Sequence, residues 1–265
     1  MKAIFIADAH LRQANSTGYQ TLSLFLSRIR ADMGAPADLA IGQQGHIGQT
    51  AQPQKLAIDS LFVAGDFFDF WFAKSWHIYP DFGPIVERLI ALKDQGIAIS
   101  LYEGNHDFFL NDYFGCCLGM TVAPESGTFD LDGLRVYLAH GDTVDQKNRG
   151  YLRLRGLLRS LPVYRLQKRL PLSLLWKVAQ LSSRLSKELT GGSQEALIGK
   201  MEAFSRNKFR EGFDVVILGH CHEPLLKEYV IGGRRKIFAT LGDWIAHYSY
   251  LYYADGRFDL ARFRP

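Results

Sequence analysis

Residues 60–69 read Ser-Leu-Phe-Val-Ala-Gly-Asp-Phe-Phe-Asp, so an apolar run passes directly into an acidic cluster. The run Ser60–Ala64 has the length and composition of a buried strand. Gly65 permits a tight turn at the end of that strand, which would leave the carboxylate of Asp66 at the strand tip. This stretch therefore predicts a buried strand that presents acidic chemistry at its carboxyl end.

The same arrangement of apolar runs with polar ends recurs along the chain. The predicted strands are Lys2–Ala7, Ser60–Ala64, Ile97–Tyr102, Leu134–Ala139 and Val215–Leu218, followed by a meander at Leu225–Ile231, Lys236–Thr240, His247–Tyr253 and Phe258–Phe263. The predicted helices are Tyr19–Ala31, Pro84–Asp94 and Ser193–Arg210, and Gly34–Lys55 is predicted as a long surface loop. Strands that alternate with helices predict an α/β layered fold, and we expect residues 1–265 to form one domain.

The composition is that of an ordinary globular protein. Of 265 residues, 47% are hydrophobic and 22% are charged, which excludes collagen, coiled coils and intrinsic disorder. The three cysteines are an odd number in a large chain, which favours a reducing cytosol over a disulfide framework. No apolar run reaches the roughly 18 residues of a membrane span. The first apolar run is too short for a signal peptide, so we expect a cytoplasmic protein.

One segment carries much of the positive charge. The chain has 31 Lys and Arg against 27 Asp and Glu, and eleven of the cations lie between Lys147 and Lys187, where no Asp or Glu occurs. Twelve leucines at helical spacing accompany these cations, with breaks at Pro162 and Pro171. We therefore predict a helical insertion, here called the cap, at about residues 147–190.

Three interpretations of the cap remain open. Leucine and Trp176 on one side and cations on the other suit acyl chains and an anionic bilayer surface. Alternatively, the leucines only cover the α/β core and the cations form a solvated face. A nucleic-acid partner is not expected, because Tyr151 and Tyr164 are the only residues of the segment that offer base-stacking platforms of the Phe or Tyr type.

Five polar clusters follow predicted strands and are expected to converge, because ligands of open α/β sheets bind beyond the carboxyl ends of the strands. Their candidate metal ligands are carboxylate, amide and imidazole groups: Asp8, His10, Asp66, Asn105, His140, His220 and His222. Seven donors are too many for one tetrahedral zinc ion, but they suit two divalent metals that share a bridging carboxylate. The absence of thiolate is compatible with Mn, Fe or Zn.

A single cluster of this kind would be weak support for a metal site. An isolated Asp-x-His is usually an ordinary loop, and Gly-His-Cys-His can be a satisfied turn. The five clusters together, each directly after a strand, favour the metal site. Cys221 is expected to pack on the opposite face from its neighbouring histidines. His247, which follows Gly242-Asp243-Trp244, is ambiguous.

The ordered motifs D-x-H, G-D-x-x-D, G-N-H-D, H-G-D and G-H-x-H within residues 1–222 resemble those of the calcineurin-like metallophosphoesterases. This resemblance implies a two-sheet β-sandwich flanked by helices, with the cap inserted after the strand before His140. Gly65-Asp-Phe-Phe-Asp-Phe-Trp71, Leu241-Gly-Asp-Trp244 and the cap are similar to the UDP-2,3-diacylglucosamine pyrophosphatases. Those enzymes of lipid A biosynthesis act at the cytoplasmic face of the inner membrane. They release UMP and 2,3-diacylglucosamine 1-phosphate, usually with Mn²⁺.

The resemblance also implies roles for the candidate residues. One metal would be held by Asp8, His10, Asp66 and His222, and a second by Asp66, Asn105, His140 and His220. His106 would act catalytically on the leaving side, with Asp69 or Asp107 orienting its ring. Asp142 is a candidate to support His140, because an imidazole that binds a metal usually donates its other N–H to an oxygen. For Asp69 and Asp142, capping of a loop is an equal alternative. The candidates for substrate contact are Asn148, Arg149, Arg153 and Lys187.

Two departures from the pyrophosphatase pattern leave alternatives open. The chain has His106 where the best-studied branch has Arg, and Gly34–Lys55 is longer than the usual connection. One alternative is therefore a generic phosphodiesterase or phosphatase of the same superfamily that acts on another phosphoester, such as a nucleotide. A further alternative, from another functional class, is a non-catalytic metal-binding scaffold.

Overall fold

Two mixed β-sheets form the frame of the protein. The computed structural model describes residues 1–32, 56–71, 73–74, 77–167, 169 and 193–265. One sheet has six strands and the other has five. The strands are β1 (Ala3–Ile6), β2 (Ile29–Ala31), β3 (Leu56–Ile58), β4 (Ser60–Ala64), β5 (Ala73–Lys74), β6 (His77–Ile78), β7 (Ala98–Tyr102), β8 (Thr121–Ala123), β9 (Ser126–Leu131), β10 (Leu134–Ala139), β11 (Val215–Leu218), β12 (Pro224–Ile231), β13 (Arg234–Leu241), β14 (Ser249–Ala254) and β15 (Arg257–Arg262).

The strand order places β1 and β4 at the centre of the six-stranded sheet and β11 at the centre of the five-stranded sheet. The six-stranded sheet has the order β15-β14-β1-β4-β7-β8, and the five-stranded sheet has the order β12-β13-β11-β10-β9. β1 is parallel to β4, β4 is parallel to β7, and β10 is parallel to β11. Two short pairs, β2 with β3 and β5 with β6, lie outside these sheets.

Helices cover the outer faces of the two sheets. They are α1 (Thr17–Ser27), α2 (Gly83–Asp94), α3 (Arg149–Leu158), α4 (Leu161–Gln167) and α5 (Gln194–Arg210), with short 3-10 helices at Pro80–Phe82 and Leu110–Asp112. Leu22 of α1 and Leu89 of α2 pack with Ile4 of the six-stranded sheet. Met201 and Phe209 of α5 pack against the five-stranded sheet. Among the helices that the structure describes, none is long and apolar enough to cross a membrane.

A second apolar core lies between the two sheets. Alternate residues of β1 point to opposite faces, so Ile4 contacts the helices while Phe5 contacts the other sheet. Phe5 stacks on Phe62 with ring centroids 4.7 Å apart, and Val136 of β10 belongs to the same core. The layers therefore run helix, sheet, sheet, helix, which confirms the predicted α/β sandwich with flanking helices.

Several predicted elements need correction. The helix predicted to reach Ala31 ends at Ser27, because Ile29–Ala31 pairs as a strand with Leu56–Ile58. The late strands do not form one meander. β12 and β13 form a hairpin in the five-stranded sheet, whereas β14 and β15 form a hairpin in the six-stranded sheet. The chain changes sheets in the turn of residues 242–248, where Gly242 has a φ of 72°. Strands β8 and β9 had not been predicted.

Part of the sequence prediction lies outside the described residues. This applies to the loop Gly34–Lys55, to most of the cap beyond residue 167 and to Lys187. Helices α3 and α4 occupy the first part of the predicted cap. That residues 1–265 form a single domain, with the cap spanning about 147–190, stays a prediction.

Candidate active site

The carboxyl ends of the parallel strands bring the five polar clusters to one edge of the sandwich. Within the first sheet, the amide of Asp8 donates to the carbonyl of Gly65 at 3.1 Å. Within the second sheet, the amide of Gly219 donates to the carbonyl of His140 at 2.8 Å. The amide of His220 donates to Oδ2 of Asp8 at 2.8 Å and so joins the two sheets. The predicted convergence of these strand ends therefore occurs in the fold.

Several candidate ligands have a backbone conformation that non-glycine residues rarely adopt. The φ angles are 53° for Asp8, 44° for His10, 49° for Asp66, 68° for His220 and 58° for His222. Left-handed backbone costs about 1–3 kcal/mol for a residue with a Cβ, and it concentrates at functional sites. Here it turns each side chain inward at the end of its strand, so the fold sustains local strain where the candidate ligands meet.

Glycines allow the loops to approach each other closely. A Cβ on Gly104 would lie 2.1 Å from Oδ1 of Asp66, and one on Gly65 would lie 2.6 Å from Nδ1 of His140. Gly65 also has a φ of 84°. Glycine at these two positions is therefore a packing requirement of the site itself.

Asp66 is the central residue of the arrangement. Its Oδ2 atom lies 3.3 Å from Nε2 of His140, 3.7 Å from Nε2 of His10 and 4.0 Å from Nε2 of His106. The side chain of Asn105 also faces this group, with Oδ1 3.0 Å from Nε2 of His140. A single carboxylate oxygen thus faces imidazoles on several sides, as a bridging ligand would.

Among the residues that the structure describes, three groups of side chains have donor atoms close enough together to hold a metal ion. They are Asp8 with His10 and His222, His10 with Asp66 and His106, and Asp66 with His140 and His220. Oδ1 of Asp8 and Nε2 of His10 are buried and have no hydrogen-bond partner within the described part of the chain. Buried polar atoms normally have partners. Mixed carboxylate and imidazole donors suit divalent transition metals, so these residues fit the predicted ions.

The electrostatics of the site reflect its buried negative charge. Burial alone would raise the pKa of Asp66, but His140 and His106 outweigh it and hold the pKa well below its usual value. Burial alone would lower the pKa of His140, but the charge of Asp66 outweighs it and raises the pKa to about 10. Burial and the charge of His140 lower the pKa of His220 to about 4.

A family model described as calcineurin-like phosphoesterase matches residues 1–224. The chain belongs to this family. It is a metal-dependent phosphoesterase, a hydrolase whose candidate metal groups contain histidine and aspartate side chains. The family resemblance noted from the motifs is therefore confirmed.

Two relatives of this phosphoesterase share one name. A protein of Pseudomonas putida named UDP-2,3-diacylglucosamine hydrolase is 31% identical over 186 residues, which cover 70% of this chain and 77% of the relative. A protein of the same name from Edwardsiella ictaluri is 30% identical, over 80% of this chain and 85% of the relative. One solved structure, of an archaeal phosphodiesterase, has a TM-score of 0.44 and 11% identity over 98% of each chain.

His106 lies between Asp66 and Asp69 in this phosphoesterase site. Its Nδ1 atom is 3.0 Å from the backbone carbonyl of Asp69 and 3.6 Å from that residue's Oδ1. Asp107 was the other candidate for orienting this ring, and its position differs. Both carboxylate oxygens of Asp107 accept backbone amides of the loops, including those of Asp66 and Gly104 at 2.9 and 3.0 Å. Asp107 therefore holds the loops together, whereas Asp69 contacts the imidazole.

Asp142 does not accept a hydrogen bond from His140, which was its expected role. Nδ1 of His140 faces the backbone carbonyl of Ala64 at 3.0 Å. The carboxylate of Asp142 instead accepts from the hydroxyl of Tyr151 at 2.8 Å and from Nε of Arg155 at 2.6 Å. Asp142 therefore ties helix α3 to the loop that carries His140.

Sequence reasoning missed residues that act across long sequence distances. Arg159 donates to the carbonyl of Gly104 at 2.6 Å and to Oε2 of the buried Glu103 at 3.2 Å, so α3 also holds the loop before Asn105. Asp243 faces His222 from the turn after β13. The Leu-Gly-Asp-Trp motif was visible in the sequence. Nothing in the local sequence showed that this turn would contact the group of Asp8, His10 and His222.

Three of the four candidates for substrate contact lie at the start of the cap, and Lys187 lies outside the described residues. Asn148 accepts from the amide of Tyr151 at 3.2 Å and caps the N-terminus of α3. Arg149 and Arg153 are exposed on the same helix. Cys221 is buried in the core beneath α5 and packs with Met201, as expected from its position between two candidate ligands.

Proposed function

We propose that this phosphoesterase hydrolyses the pyrophosphate of UDP-2,3-diacylglucosamine to UMP and 2,3-diacylglucosamine 1-phosphate. The observation that carries the proposal is the similarity, at about 30% identity and over 70–80% of the chain, to proteins named UDP-2,3-diacylglucosamine hydrolase. A buried cluster of aspartates and histidines at the strand tips supports the phosphoryl chemistry that this reaction requires.

The proposed ligand set divides between two cation positions. Asp8, His10 and His222 form one group, and His140 and His220 form the other, with Asp66 between them and Asn105 beside His140. The resemblance favours Mn²⁺ as the cation, and the donors are also compatible with Fe and Zn. Two such cations would neutralise phosphoryl oxygens and lower the pKa of a water, so that hydroxide is available at neutral pH.

The protein side chains supply orientation and a proton. Nδ1 of His106 can donate to the carbonyl of Asp69, which leaves Nε2 facing the Asp66 side of the site. With both ring nitrogens protonated, His106 would then have an Nε2–H to donate as a hydrogen bond or proton to the leaving oxygen. Asp8, Asp66 and His140 are each at most 2% exposed, so their charges act in surroundings of low dielectric constant.

Helices α3 and α4 support contact with the lipid part of the substrate. Leu157, Leu161 and Leu166 are 60%, 63% and 55% exposed, so they do not serve as cover for the α/β core. Exposed Arg149 and Arg153 lie on α3 beside this apolar surface. Apolar side chains next to cations suit acyl chains and an anionic lipid surface. We therefore place the protein in the cytoplasm, at the surface of the inner membrane.

The test is UMP release from UDP-2,3-diacylglucosamine with Mn²⁺, compared with hydrolysis of bis-p-nitrophenyl phosphate. The proposal predicts much faster turnover of the acylated nucleotide-sugar. Faster turnover of simple phosphodiesters would favour the generic phosphoesterase, and no turnover of either would favour the scaffold. The chain has histidine at position 106, which is the form usual in the wider superfamily. This residue supports the alternative of a generic phosphodiesterase or phosphatase.

Asp66→Ala tests the ligand set. Because Asp66 faces both groups of ligands, the variant is expected to lose bound metal and nearly all hydrolysis. Metal content by elemental analysis and UMP release check this expectation. Two retained metals with normal turnover would refute the assignment.

A further inference from the structure

The turn of residues 242–248 lies against the group of Asp8, His10 and His222. This turn lies beyond the residues that the family model matches. The chain crosses here from the five-stranded to the six-stranded sheet. The amide of Trp244 donates to the backbone carbonyl of Asp8 at 3.2 Å. The buried indole of Trp244 packs on Phe25 of α1 with ring centroids 4.8 Å apart. The turn is therefore fixed to the strand end that carries two of the candidate ligands.

Asp243 is held rigidly within this turn. Its Oδ1 atom accepts the amides of Ile245, Ala246 and His247 at 3.1, 2.8 and 2.9 Å. Its own carbonyl accepts the amide of Ser249 at 3.2 Å. The residue is 5% exposed. One carboxylate oxygen is thus engaged in the turn, and this fixes the direction of the other.

The second oxygen of Asp243 faces the imidazole of His222. Oδ2 lies 3.4 Å from Nδ1 of His222, while Nε2 of the same ring lies 3.6 Å from Oδ1 of Asp8. The ring also stacks on His10, with centroids 5.1 Å apart and planes 10° apart. His222 therefore lies between two carboxylates. Its Nε2 atom faces Asp8, and its Nδ1 atom faces Asp243.

Other imidazoles of the site have a comparable outer partner. Nδ1 of His140 faces the carbonyl of Ala64 at 3.0 Å, and Nδ1 of His10 lies 3.7 Å from Oδ1 of Asp69. A histidine that binds a metal commonly donates its second N–H to a carboxylate or carbonyl, which fixes the tautomer and orients the ring. Asp243 occupies this outer position for His222.

We propose that Asp243 is a positioning residue that orients His222 toward the first metal position. The turn of residues 242–248 is then part of the metal centre, although it contributes no ligand of its own. His247 shares the same oxygen, with Nδ1 3.4 Å from Oδ2 of Asp243, and is the outermost member of the group. The inference rests on the ligand set of the proposed function.

The decisive variant is Asp243→Asn. Its side-chain oxygen can still accept the three amides of the turn, but the group facing His222 loses its charge. Calorimetric titration of metal-free protein with Mn²⁺ is expected to show one of two equivalents weakened about 10- to 100-fold. The visible spectrum of bound Co²⁺ at that position is expected to change as well. Asp214→Asn is the matched control, because Asp214 also accepts a backbone amide, that of Arg135, at 3.0 Å. Asp214 precedes strand β11, whereas His220 follows the opposite end of that strand.

Two further measurements separate orientation from general stability. In a His222→Ala background, Asp243→Asn is expected to cause no additional loss of cation affinity, since its effect passes through His222. In wild-type protein with Zn²⁺, the ¹⁵N spectrum of His222 is expected to show a proton on Nδ1, and this measurement needs no folded variant.

The outcomes distinguish this inference from the proposed function. Wild-type affinity in Asp243→Asn, additive losses in the double variant, or a proton on Nε2 of His222 would each overturn the positioning role alone. Wild-type protein that binds no divalent cation would overturn both the ligand set and this inference. The titrations contain no substrate, so they do not depend on which phosphoester the protein cleaves.

Discussion

Replacing Asp107 with alanine is expected to destabilise the fold itself. The carboxylate is fully buried. It accepts four backbone amides, at 2.9, 2.7, 3.1 and 3.0 Å, from Asp66, Phe67, Phe68 and Gly104. In Asp107→Ala these amides lose an acceptor that joins two loops of the site.

The magnitude follows from opposing contributions. Hydrogen bonds to a charged group contribute about 1.5–3 kcal/mol each, so four of them have a sum of at least about 6 kcal/mol. Burial and the charge of Asp66 raise the pKa of Asp107 to about 7, so removing the carboxylate also relieves an unfavourable charge. We expect a net loss of about 3–5 kcal/mol, as for other broken buried networks. At roughly 2–4 °C per kcal/mol, this lowers the Tm by about 6–20 °C.

Thermal and urea unfolding in EDTA measure this loss without a contribution from bound cations. Asp69→Ala is the matched control, since its side chain is 28% exposed and its removal leaves the four amides satisfied. It is expected to change the free energy of unfolding by less than about 1 kcal/mol. An Asp107→Ala protein within about 1 kcal/mol of wild type would refute the reasoning.

Three further predictions concern rate, the cap and pH. His106→Ala is expected to keep both metals but to slow UMP release about 10²- to 10⁴-fold, and an unchanged rate would remove it from catalysis. Arg159→Met leaves a buried carboxylate unpaired and should cost about 3–5 kcal/mol in urea unfolding, whereas exposed Arg153→Met should be nearly neutral. Partial burial would raise the pKa of Asp214, but its hydrogen bond from Lys236 lowers it below the usual 3.8. The contribution of the Asp214–Lys236 pair to stability is therefore complete above about pH 4 and is lost at lower pH. Lys236→Met removes this pair, so the free energy of unfolding should depend less on pH below about pH 4.

The strand tips show how far local sequence can predict this site. Ser60–Ala64, Leu134–Ala139 and Val215–Leu218 have the predicted bounds, because a short apolar run that ends in a glycine or a polar cluster leaves little freedom in register. The seven candidate ligands follow such strands directly, so their convergence was predictable from parallel sheet geometry.

The errors occurred where neighbours in space are distant in sequence. Ile29–Ala31 continues a helical pattern, yet it pairs with Leu56–Ile58, because tertiary pairing overrides local propensity. In β14 buried and partly buried residues alternate, as the predicted meander requires. The strand nevertheless pairs with β1 of the other sheet, because no local pattern shows which sheet a strand joins.

The chain by itself determined the chemistry of this protein: which donors exist, that each follows a strand, and that they suit divalent cations. Only the tertiary structure decided how those donors are supported. Asp107 binds four loop amides, Arg159 reaches the carbonyl of Gly104, and Asp243 faces His222 from a turn where the chain changes sheets. These contacts depend on the packing of whole layers, which brings together residues far apart in the chain.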